Sequence, residues 1–195
     1  MFKFRIVALL WLAGAMGAAG AFAKTEWKTV TLRGETGLTI SIPEFAKDYD
    51  RVTNPDDLMF LSLSASRHGE MTCIANRIPY TQGVTQASLS AALVTDRRNA
   101  FCNESGAGVS DLSIGESRSF IHNGLQAAVC MASFTDKSQS APGRVSSQMV
   151  IAAKLKVYVL TCTSEDEDQE MAEYEWGMTW GDTVKHFQDS FHLPE

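Results

Sequence analysis

The chain has 195 residues, 45% of them apolar and 21% charged, and its 17 basic and 23 acidic side chains give a formal net charge of −6. That acidity, with no basic stripe interleaved with aromatics, argues against nucleic acid as a partner, because a phosphate backbone is repelled. The length fits a single domain with enough chain to bury a real core.

Lys3 and Arg5 form a short basic start, and Ile6 to Ala23 follows without a charge, most apolar from Ile6 to Leu12. The run thins into Ala and Gly and ends Ala21-Phe22-Ala23, an A-x-A cleavage pattern. It is long enough for a membrane span of roughly 17–25 residues, but its second half is weakly hydrophobic. The pattern predicts a secretory signal peptide over 1–23 rather than a retained anchor, and the absence of Cys near the cleavage site argues against a lipoprotein. The expected mature chain, 24–195, is one domain carrying 15 basic and 23 acidic residues, a net charge of −8. It is expected in the bacterial periplasm or outside the cell, with no membrane attachment after cleavage.

Trp27 to Ile42 reads as a hairpin, TVTLR and LTISI around a turn holding Gly34 and Gly37; Pro43 stops it and opens a short helical turn over Glu44–Lys47. Asn54-Pro55-Asp56-Asp57 is a turn. Leu61, Leu63 and Ala65 alternate with serines as in a half-buried strand, and Arg67–Glu70 turns into a second strand, Met71–Ile78. Thr85 to about Ala100 has helical spacing, with Leu89, Leu93 and Ala100 near one face and Arg97 and Arg98 at the negative end. After a loop over Asn103–Gly108, Val109–Ile121 is extended with a break at Gly115. Asn123-Gly124 is a type I′ hairpin dipeptide leading into Leu125–Phe134. A polar loop over Asp136–Gly143 precedes a tight hairpin of two largely buried strands, Arg144–Ala153 and Lys156–Thr163. Ser164-x-x-Glu167 matches a capping box, and Trp176, Trp180, Val184, Phe187 and Phe191 form an apolar stripe of helical period ended by Pro194. The order predicts an α+β domain: an antiparallel β-sheet flanked by helices, with a long C-terminal helix.

Several stretches together resemble the Mog1/PsbP-like family, including its periplasmic and secreted DcrB-like members. They are the strand Gly37-Leu38-Thr39-Ile40-Ser41-Ile42-Pro43, the helix start Gln86-Ala87-Ser88-Leu89, and the turn Asn123-Gly124-Leu125-Gln126-Ala127. The ending adds Val157-Tyr158-Val159-Leu160-Thr161-Cys162 and Asp189-Ser190-Phe191-His192-Leu193-Pro194. The resemblance covers most of the mature chain and implies a scaffold whose members mostly serve as non-enzymatic accessory, assembly or binding proteins; the four cysteines are not part of the family pattern.

The residues offer no catalytic, cofactor or metal set. Counted from Asp166, the acidic run Glu165–Asp168 with Glu170 puts Met171 where an EF-hand needs Gly, and acids suit a helix start. His186 and His192, six apart, cannot form an i, i+4 metal pair, and His68 and His122 fall in turns. There is no G-x-S-x-G elbow or Walker loop, and Gly106-Ala107-Gly108 is not a dinucleotide fingerprint. Trp176 and Trp180 fit core better than a ligand groove. Asn103-Glu104-Ser105 matches a glycosylation acceptor, incidental behind a bacterial signal.

An even cysteine count behind a signal peptide predicts two disulfides, and the gaps of 29, 28 and 32 residues do not suit zinc. If Arg144–Ala153 lies between its sequence neighbours in a meander, Cys130 and Cys162 stand two strands apart, roughly 9–10 Å. A bridge needs Cα atoms within about 7 Å, which disfavours Cys130–Cys162 and the complementary Cys73–Cys102. Ala128, Cys130 and Ala132 make a small-residue face that the end of the first helix can approach, so the expected pairs are Cys102–Cys130 and Cys73–Cys162. The functional expectation is a non-enzymatic periplasmic or secreted binding or accessory protein acting through a protein partner, an inhibitor or immunity protein being one form. The alternative is a small secreted hydrolase with a dispersed site; a pocket of convergent titratable groups would favour it.

Overall fold

The computed structural model describes residues 25–46, 52, 54–64, 70–79, 83–94, 112–134, 143–167 and 169–194. The hairpin β1 (Trp27–Thr31) and β2 (Thr39–Pro43) forms a two-stranded sheet. A six-stranded antiparallel sheet is built from β3 (Asp57–Ser64), β4 (Glu70–Pro79), β5 (Leu112–His122), β6 (Leu125–Phe134), β7 (Gly143–Ala153) and β8 (Lys156–Asp166), in the order β3-β4-β8-β7-β6-β5. The meander expected from the sequence is present, with β7 between β6 and β8. The break expected at Gly115 is a register shift between Ile114 and Ser117 against β6.

Alternate residues of the central strands serve two cores, as a pleated strand requires. Val145, Met149 and Ile151 face the larger core, with Leu38, Ile40 and Ile42 of β2 and with Trp176, Trp180, Phe187 and Phe191. Val150 and Ala152 face the smaller one, closed by Leu89 and Leu93 of α1 (Gln86–Val94). The sheet is therefore a middle layer between α1 and a layer made of the β1–β2 hairpin and the C-terminal helices.

Three local expectations are corrected. Pro43 is the last residue of β2 and leads into a turn, not helix, closed by Ala46 N–H to Pro43 O at 3.0 Å. The capping box does not form: Ser164 is a buried strand residue opposite both Met71 and Val145. Pairing on both edges carries β8 to Asp166, so Glu165 and Asp166 are strand residues and the helix, α2 (Gln169–Glu175), starts later. The long helical run is α2, a π turn at Trp176–Trp180 and α3 (Gly181–Asp189). In the π turn Gly181 N–H bonds to Trp176 O, and a Cβ at Gly181 would stand 3.1 Å from that oxygen. The helix ends at Asp189, well before Pro194; Ser190 caps it and His192 beyond it bridges to Thr39. The turns expected at Arg67–His68, Asn103–Gly108 and Asp136–Pro142, the residues Arg97, Arg98 and Ala100, and the signal segment 1–23 lie outside the described residues.

Candidate functional site

Two turns of left-handed backbone, Asn123–Gly124 (φ 48° and 79°) and Lys154–Leu155 (φ 51° and 58°), bring the ends of β5–β6 and β7–β8 beside the C-terminal tail. The tail is tied down there. Thr39 and His192 exchange backbone hydrogen bonds at 3.0 and 2.8 Å. Ser41 N–H donates to Ser190 Oγ at 2.9 Å, and Lys154 Nζ donates to Pro194 O at 2.8 Å. His122, buried, has Nε2 at 2.7 Å from Phe191 O; a carbonyl only accepts, so Nε2 carries the proton. Asn123 Nδ2 donates to the same oxygen at 3.2 Å.

Between these turns, the tail and the start of α1 lies a cleft of about 450 Å³, lined among others by Gln86, Ser90, Gln126, Lys154 and Leu193. Its amides serve the fold: Gln86 donates to Ala152 O at 3.0 Å and accepts from Leu155 N–H at 3.1 Å. Gln126 donates to Phe120 O and Ala127 O, both at 3.2 Å.

Glu35, in the β1–β2 turn, is the centre of a polar cluster that sequence reasoning missed. Its side chain is 14% exposed; Oε1 accepts from Arg77 at 2.9 Å and Lys156 at 2.6 Å, and Oε2 from Tyr158 at 2.7 Å. Burial alone would raise its pKa, but hydrogen bonds from Lys156, Arg77 and Tyr158, with the charge of Lys156, outweigh it and hold the carboxyl at about 2. Burial, and then the carboxylate, push the Tyr158 phenol up. A carboxylate held by three donors is an anchor, not a general base. No short-range motif announces it, because its partners come from β4 and β8.

The residues singled out from the sequence are dispersed. Cys73 and Cys162 sit opposite each other on β4 and β8, Cα atoms 4.0 Å apart, and are joined by a disulfide. Cys130 is buried on β6, and Cys102 lies outside the described residues, as does His68. His186 stacks on Trp27 with ring centroids 3.8 Å apart. Trp176 and Trp180 are core. Among the described residues no three His, Cys, Asp or Glu side chains converge as a metal site, and no described helix is long and apolar enough to cross a membrane.

The outer face of the helical layer differs. Met171, Tyr174 and Met178, at i, i+3 and i+7, are 42%, 58% and 63% exposed, while Ala172, Trp176 and Trp180 on the opposite side are buried. Residues 165–182 contain eight acidic and no basic side chains; the rest of the chain has 17 basic and 15 acidic ones. The net negative charge thus resides in this segment. The signal was in the sequence: an apolar triplet out of phase with the buried stripe, inside an acid-only stretch.

No protein-family profile and no curated protein sequence matches the chain. Solved structures do. Mog1p of Saccharomyces cerevisiae, a Ran-binding protein, superposes with a TM-score of 0.59 at 11% identity, covering 87% of this chain and 96% of Mog1p. PsbP (CyanoP) of the cyanobacterium Synechocystis gives 0.50 at 14% identity, covering 93% and 100%. LpqN of Mycobacterium tuberculosis, involved in cell envelope biogenesis, gives 0.51 at 12% identity, covering 84% and 88%. At such identities the likeness is one of fold, and it is the one expected from the sequence: the chain has the Mog1/PsbP-like fold.

Proposed function

We propose that the chain is exported through a signal peptide over 1–23 and that its mature domain, 24–195, is a non-enzymatic binding or accessory protein of the periplasm or exterior. It acts by holding a protein partner, as an inhibitor or immunity protein would. The observation that carries this reading is the exposed Met171–Tyr174–Met178 stripe on a core-packed helical layer, since exposed apolar side chains grouped on one face mark interaction surfaces. The Cys73–Cys162 disulfide supports an oxidising compartment, and Cys102–Cys130 is proposed as the second bridge. Of the proteins that share this fold, Mog1p is a Ran-binding protein and LpqN is involved in cell envelope biogenesis, and both are compatible with an accessory role. Glu35, with both oxygens occupied, gives no support to a hydrolase.

Photo-crosslinking in the exporting cell tests the reading. A benzophenone side chain replaces Tyr174 in one variant and Gln126, at the cleft, in another. A protein joined at either position is the expected result; no protein adduct at either, with the full chain exported and folded, would overturn it.

A further inference from the structure

We propose that the outer face of α2 and the π turn docks a lysine- or arginine-rich segment of the partner, which lays apolar side chains on Met171, Tyr174 and Met178. This deepens the partner-binding reading and rests on it. The buried side of the same run, Ala172, Trp176 and Trp180, fixes the rotation of the helix, so the exposed triplet is presented as one surface. Tyr offers a large, stiff contact with a polar tip, and Met adapts to an irregular partner. The charge around the triplet selects the occupant. Glu167, before α2, and Glu170, in its first turn, are exposed, and Asp182 is exposed in the first turn of α3. Two cations on neighbouring elements are paired with acids: Arg144 Nε with Glu165 Oε1 at 2.8 Å, and Lys185 with Asp189. A cationic segment meets the acids while its apolar residues cover the triplet. A nucleic acid or an anionic membrane brings the same sign of charge and is repelled.

The test uses the exported full chain with its disulfides intact and a short synthetic amphipathic helix that spaces leucines at i, i+3 and i+7 among lysines. Methyl resonances of Met171 and Met178 report contact. The expected result is that both methyls shift, that binding weakens about tenfold in Y174A/M178A, as loss of a central contact does, and several-fold at ~0.5 M salt, where screening is strong. A peptide with glutamate for lysine does not bind. Equal binding of the two peptides, binding that leaves the methyls and Y174A/M178A unaffected, absence of binding, or preference for phosphatidylglycerol vesicles would each overturn the proposal. A protein crosslinked in the cell would then still support the partner reading, so the two fail separately.

Discussion

The hairpin end of the sheet and the outer face of the helical layer use their side chains in opposite ways. At the hairpin end polar groups are turned inward: Glu35 takes three donors, His122 and Asn123 share one carbonyl of the tail, and Gln86 bridges α1 to the β7–β8 turn. On the helical face apolar groups are turned outward beside acids. Buried polar groups must be hydrogen-bonded or they destabilise the fold. Exposed apolar groups carry no such requirement, and grouped on one face they mark interaction surfaces. The difference teaches that Glu35, whose carboxyl is held well below its ordinary value, marks a structural joint, whereas the surface proposed for recognition is the one that leaves apolar side chains in solvent.

Substitutions at the joint should cost stability. Phe191→Ala removes a fully buried ring that packs 5.7 Å from Tyr158, and is expected to cost about 3–5 kcal/mol in urea unfolding. A cost below about 1 kcal/mol would show that the tail is not anchored. Replacing Cys73 and Cys162 together by Ala opens a loop spanning 89 residues and should cost ~2–4 kcal/mol, read by the same unfolding curves.

Glu35→Gln should cost about 2 kcal/mol, because Lys156 and Arg77 lose the charge they face. The carboxyl has a folded pKa of about 2 against an ordinary 4.5. Its contribution is therefore complete above pH 4.5 and is lost as the pH falls through 2, where the folded state also takes up the proton. Stability measured from pH 6 down to 2 should fall more steeply in the parent than in Glu35→Gln; parallel curves would show that the cluster does not act as described.

Much of this fold was legible because its signals are local. Asn123-Gly124 suits a turn needing positive φ, and it forms one. The second hairpin carries Lys154-Leu155 at equivalent φ values, with no Gly or Asn, and was recognisable only from the strands flanking it. The Ser164 capping box misled because the same four residues continue a strand when β4 and β7 pair with it from both sides, and that pairing is tertiary. Equally, the period of Trp176 to Phe191 identified the buried side of the helical run but could not reveal the extra residue of the π turn. Glu35 left no trace in the sequence, since the groups that depress its pKa are 42, 121 and 123 residues away. The exposed triplet was visible as spacing, yet only burial on the opposite side distinguishes it from core.

The contrast between the two regions is tested most directly by measuring stability and lysine-peptide binding together in Y174A/M178A and in Glu35→Gln. The account predicts that Y174A/M178A unfolds within about 0.5 kcal/mol of the parent while binding weakens about tenfold. Glu35→Gln should lose stability and bind as the parent does. The reverse pattern, with the triplet holding the fold together and Glu35 controlling binding, would contradict it.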